Sequence, residues 1–108
     1  MTTIQKDSGL TTMINVFTTT PDKQQALLDV LLRATEDHIA KMPGFHSANF
    51  HASADGLRVV NYAQWTTPDA WKAMLTDPQC RVHIEKAREL AEHDDHLYEV
   101  VAVHEAAR

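Results

Sequence analysis

The chain carries one cysteine, Cys80, in 108 residues. A single thiol closes no internal disulfide and builds no cysteine-based zinc site. It fits a reducing compartment, and as a nucleophile it lacks any flanking motif. Glycine is nearly as scarce, at Gly9, Gly44 and Gly56 only. No glycine-rich phosphate loop can be drawn, which excludes a flavin or nicotinamide held in the Rossmann manner. Basic residues are outnumbered, ten against fifteen acidic ones, for a formal net charge of −5. With no Lys/Arg cluster, a phosphate-neutralising nucleic-acid surface is not expected. Long apolar runs are missing too. The longest resemble Ala26–Leu28 and Val30–Leu32, where a membrane helix needs about 20 residues. The opening Met-Thr-Thr-Ile-Gln-Lys-Asp has neither the basic nor the apolar stretch of a signal peptide, and a cytoplasmic location is the expectation.

What is present is ordinary globular composition, 44% hydrophobic and 23% charged. The length is that of one domain. A domain of this size buries only about 60–70% of its unfolded surface. A sizeable pocket thins an already thin core, so the pocket is modest or a second subunit supports the fold.

Residues Thr11–Thr19 are rich in β-branched types and read as a strand. Thr20-Pro21-Asp22 then offers an N-cap, a first-turn proline and an acid at the positive helix end. The helix behind it carries Leu27, Val30, Leu31, Ala34 and Ile39 on one face and stops at Met42-Pro43-Gly44. A second strand spans Phe45–His51, a turn signal falls at Ser53-Ala54-Asp55-Gly56, and a third strand spans Leu57–Trp65. Thr67-Pro68-Asp69 repeats the helix opening before a short helix with Trp71, Met74 and Leu75. Asp77-Pro78 opens another, which runs to about Glu92 or His93. Asp94-Asp95-His96 reads as a break and Leu97–His104 as the last strand. The order β-α-β, β-α-β is the α+β, ferredoxin-like split βαβ pattern, a four-stranded antiparallel sheet with helices on one face. Residues 1–10 read as a flexible arm, 11–104 as the single domain and 105–108 as a polar end.

Period-2 alternation puts Leu57, Val59, Asn61, Ala63 and Trp65 on one face of the third strand. The set is apolar except for Asn61, so it faces the helices and takes a carboxamide inside. An unpartnered buried amide costs about 1–3 kcal/mol. Asn61 is satisfied either by a protein neighbour or by a ligand oxygen. Asn61 and Trp65 lie roughly 13 Å apart along the strand at about 3.3 Å per residue. A flat polycyclic ligand spans that gap, with small Ala63 between. On the first strand Met13, Asn15 and Phe17 share a face. Asn15 is either a second amide in that cavity or a solvent-facing residue, according to register.

Seven histidines show no metal-ligand spacing. His93 and His96 read as solvated surface in the acidic run Glu92–Asp95. His83, one turn into its helix, is a surface residue, a proton-transfer group or a haem ligand.

Pro43-Gly44-Phe45, His51-Ala52-Ser53-Ala54-Asp55-Gly56 and Val59-Val60-Asn61-Tyr62-Ala63-Gln64-Trp65 resemble the antibiotic biosynthesis monooxygenase family. The likeness is to its small enzymes that oxidise anthrone- or quinol-type aromatics without metal or flavin, and it runs from about Thr11 to His104. The resemblance implies a dimeric α+β barrel, a small aromatic substrate and O2. It implies catalytic roles for Asn61 and Trp65, with Asn15, Phe17, Tyr62, Trp71 and His83 as substrate contacts. Trp71 stands where the family has a Tyr, and His83 or Ile84 where it has an Arg. Haem-degrading members of the family supply an alternative, in which Asn15, Trp65 and His83 match an Asn, Trp and axial His. A non-catalytic dimeric barrel that binds a metabolite is a third reading, because one fold hosts many functions.

Overall fold

A computed structural model describes residues 1–107. The β-branched first segment forms β1 (Thr11–Thr18), followed by α1 (Gln24–Asp37), β2 (Phe45–Ala52), β3 (Arg58–Trp65), α2 (Pro68–Thr76), α3 (Pro78–Leu90) and β4 (Glu92–Tyr98). The strands lie in the order β2-β3-β1-β4, and every pairing is antiparallel. This is the α+β, ferredoxin-like architecture expected from the sequence. No helix among the described residues is long and apolar enough to cross a membrane.

The three helix openings fold differently despite their likeness. Thr67 caps α2 by accepting from the Ala70 N–H at 3.1 Å, and Asp77 caps α3 by accepting from the Cys80 N–H at 3.0 Å. Thr20 does not cap α1. Its hydroxyl donates to Asp22 Oδ1 at 2.6 Å instead. Residues 20–23 therefore make a separate turn, and α1 starts at Gln24 without a side-chain cap. It also ends before Met42-Pro43-Gly44. A single 3-10 turn, Ile39–Lys41, fills the interval.

Gly44 sets the angle at which β2 leaves. Its φ is +85°, and a Cβ there would meet the Ala70 Cβ at 2.4 Å. Only glycine lets this turn pass so close to α2.

The largest difference from expectation lies at the C-terminal end. Glu92–Tyr98 is a strand, not a break, and the described residues beyond Tyr98 have no regular structure. β4 runs along β1 from Thr18 opposite Glu92 to Thr12 opposite Tyr98. An edge strand keeps one side in water and tolerates charge, which is why a polar run folds as a strand here.

The sheet face under the helices carries two core clusters. One holds Met13, Ala63, Trp65, Met74 and Cys80, and the other Phe17, Leu27, Val59 and Ala87. The opposite face bears no helix. The first residues lie across part of it, because Gln64 donates to the Thr3 carbonyl at 2.8 Å and Thr2 donates to Asn49 Oδ1 at 2.9 Å. The bond to Thr3, with one from the Ser47 hydroxyl to Gln64 Oε1, gives both ends of the buried Gln64 amide a partner.

Candidate active site

A cavity of about 120 Å³ lies between the sheet and the helices. β1 and β3 supply Asn15, Phe17 and Asn61 to its floor, and α1 supplies Leu31 and Ala34. Trp71 and Met74 come from α2, and Cys80, His83 and Ile84 from α3. The wall is mostly apolar.

Register decides the position of Asn15. It stands opposite Asn61 across the β1–β3 ladder, and facing residues of an antiparallel pair project on the same side. The two carboxamides therefore sit side by side under the helices. Asn61 Oδ1 accepts from the Asn49 backbone N–H at 3.3 Å, which turns its NH2 end away from β2. Asn15 Oδ1 is buried without a hydrogen-bond partner, and so is Trp71 Nε1. An acceptor and a donor left unpaired beside one cavity mark where a polar ligand atom would bind, since buried polar groups are otherwise nearly always bonded.

Five of the seven residues singled out from the sequence line this cavity: Asn15, Phe17, Asn61, Trp71 and His83. Two do not. Trp65, 1% exposed, is packed among Met13, Ala63, Met74 and Cys80, with Phe45 edge-on at 5.5 Å between ring centroids. Met13, Met74 and Cys80, which pack with it, line the open space in its place. Tyr62 points to the opposite sheet face with Asn49, its partner in register. That face was already implied by the alternation along β3. Its hydroxyl is buried there without a partner.

Two residues escaped the sequence reading. His93 and Asp95 lie at the rim of the cavity, since β4 begins earlier than expected and faces them toward the helices; His93 stays exposed and Asp95 is half-buried. Their signal was the alternation His93, Asp95, Leu97 against Glu92, Asp94, His96.

A separate cluster joins His38, Asp77 and Cys80, whose ligating atoms lie within 4.8 Å of one another. His38 Nε2 is 2.8 Å from Asp77 Oδ2. The Cys80 backbone N–H and then the His38 contact hold the Asp77 carboxyl below its usual range. Burial, followed by hydrogen bonding to Asp77 and then its charge, pushes the Cys80 thiol up to about 11. The thiol thus stays protonated and donates to Met42 Sδ at 3.7 Å. The carboxylate is occupied in capping α3.

The haem alternative finds only part of its set here: Asn15 and His83 share the cavity, but Trp65 is not on its wall.

Residues 11–86 match the family model described as antibiotic biosynthesis monooxygenase. The tetracenomycin-F1 monooxygenase of Streptomyces glaucescens is 46% identical over 91 residues, which cover 84% of this chain and 81% of that protein. A variant of SnoaB, a cofactor-independent oxygenase from Streptomyces nogalater, superposes with a TM-score of 0.78 at 25% identity, covering 89% of this chain and 97% of that one. The ActVA-Orf6 monooxygenase of Streptomyces coelicolor, in complex with nanaomycin D, gives 0.76 at 26% identity over 92% and 93%. With its fold, its cavity and these likenesses together, the chain belongs to the antibiotic biosynthesis monooxygenase family and is a monooxygenase.

Proposed function

We propose that the protein oxidises a phenolic, anthrone- or hydroquinone-like ring to a quinone with O2, using neither metal nor flavin. The observation that carries this is the pair of unpartnered polar atoms, Asn15 Oδ1 and Trp71 Nε1, beside an otherwise apolar cavity. They suit a flat aromatic bearing both a hydroxyl and a carbonyl. The names of the relatives, a tetracenomycin-F1 monooxygenase and a cofactor-independent oxygenase, support the same chemistry.

In the reaction a ring CH2, or its phenol tautomer, first loses a proton. The carbanion gives one electron to O2, and the radical pair closes a C–O bond. The hydroperoxide so formed loses its remaining C–H proton as the O–O bond breaks. One oxygen atom stays as the quinone carbonyl and the other leaves as water. The protein binds the ring, favours its anion and excludes water. The Asn61 NH2 donates to the substrate oxygen that becomes anionic, and Asn15 Oδ1 accepts from a substrate hydroxyl. Trp65 supports the wall from behind through Met13 and Met74. The reacting ring lies in this cavity, and further rings lie at the mouth beside β4.

The test is aerobic turnover of 1,8-dihydroxyanthrone by protein stripped of metal and flavin. With 18O2, one labelled atom is expected in the quinone. A rate no higher than the protein-free blank would falsify the proposal.

The same reading includes a homodimer. Ile14, Val16 and Val60 lie half-buried on the helix-free sheet face, and Tyr98, Val101 and Val103 at the C-terminal end are exposed. A second copy of that sheet covers such a face. Light scattering is expected to give twice the 12.2 kDa of one chain, and a 12.2 kDa species at micromolar concentration would end the dimer reading.

A further inference from the structure

Register places a third polar group level with the two carboxamides. Asp95 stands opposite Asn15, which stands opposite Asn61. One level of the sheet thus carries a carboxylate and two amides in a row. His93 stands opposite Phe17, with ring centroids 6.3 Å apart. Both β4 residues line the cavity where it opens to solvent, their side chains 32% and 21% exposed. His93 Nδ1 lies 3.1 Å from Asp95 Oδ1. A carboxylate only accepts, so Nδ1 is the donor, and in the neutral ring Nε2 is the nitrogen with the lone pair.

The oxidation needs a base twice, once to form the carbanion and once to break down the hydroperoxide. Carboxamides are not bases, and indole only donates. Cys80 holds its proton at neutral pH. His83 lines the cavity but forms no ion pair among the described residues. The His93–Asp95 pair has both a free lone pair and a carboxylate to orient the ring, the arrangement by which an acid side chain fixes a catalytic imidazole.

We infer that His93 is the general base of the oxidation and that Asp95 positions it; the inference rests on the function proposed above. His93 Nε2 takes a proton from the substrate carbon, and the carbanion then adds O2. The imidazolium returns that proton to the peroxide. His93 next takes the remaining C–H proton as the O–O bond breaks, and the departing hydroxide leaves as water with that proton. The base ends as it began, and the substrate has lost two electron pairs to one O2.

The experiment uses 1,8-dihydroxyanthrone, first without oxygen and then with it. Under anaerobic conditions the unaltered protein is expected to bind the probe and convert it to its coloured anion. H93Q is expected to bind it within about threefold but leave it neutral. In air, H93Q is expected to lose about 100-fold in kcat with KM little changed, and added imidazole to restore part of the rate. Asp95→Asn lowers kcat at constant KM, and Asp95→Glu recovers most of it, which a purely structural role would not do. Full turnover and anion formation in H93Q overturns the assignment, as does a loss carried by His83→Gln instead. An unaltered protein that binds the probe but neither ionises nor oxidises it overturns the proposed reaction, and the base with it.

Discussion

Asn61→Ala is expected to lower kcat by about 10² to 10³, the usual cost of removing one donor aimed at developing negative charge. The size of the effect follows from how the amide is held. Asn61 Oδ1 is committed to the Asn49 N–H, so the NH2 end is the one left for a ligand, and β3 fixes its direction. A donor anchored this way loses little freedom as charge builds on the substrate oxygen. In water the same hydrogen bond would be worth far less, because solvent competes. Asn61→Asp is the sharper variant. It keeps the shape, removes both N–H donors and sets a carboxylate against the anion, so its rate is expected below that of Asn61→Ala. Steady-state kinetics on 1,8-dihydroxyanthrone, with thermal melts alongside, check both. Rates within threefold of the unaltered protein would take Asn61 out of the chemistry.

Trp65→Ala is expected to cost about 3–5 kcal/mol of stability, as truncation of a buried aromatic does. A small domain has about 5–15 kcal/mol in all, so much of the folded population is at stake near 37 °C. The loss has three sources: the area of a side chain left 1% exposed, the edge-on contact with Phe45, and the packing against Met13 and Met74. Trp65→Phe separates support from chemistry. It is expected to lower the melting temperature yet keep turnover within about threefold at a temperature where it is folded. Loss of turnover at unchanged stability would instead show that the indole touches the substrate, as the family resemblance implies.

How much the sequence revealed depends on which regularity each segment obeys. The geometry of β3 alternates, so most of the inward set Leu57, Val59, Asn61, Ala63 and Trp65 was legible; the structure buries three of the five and leaves Leu57 exposed ahead of the strand. The same alternation argued against Tyr62 as a substrate contact. Asn15 was undecidable from β1 alone, because a face is fixed by pairing register, which one strand does not contain. Trp65 shares a face with Asn61, but a face is not a cavity. Which part of it stays open depends on side chains from α2 and α3. The last strand was expected too late, at Leu97–His104, because Glu92-His93-Asp94-Asp95-His96 is poor in strand-forming residues. Its pairing with β1 is a tertiary contact that outweighs local preference. Helix openings show the same limit: Thr20 and Thr67 sit in matching tetrapeptides, and only Thr67 caps.

The run His93-Asp94-Asp95-His96 reads the same from either end. Alternation along β4 therefore gives each face of the strand one imidazole and one carboxylate two residues apart, His93 with Asp95 inward and Asp94 with His96 outward, the second pair at 2.6 Å. A slip of one residue between β4 and β1 exchanges the faces. It would bring in an acid–imidazole pair in reversed order, with the carboxylate where the ring had been. Composition at the cavity mouth thus survives a pairing error that geometry does not, and activity reports the alignment of this edge strand more sharply than stability does.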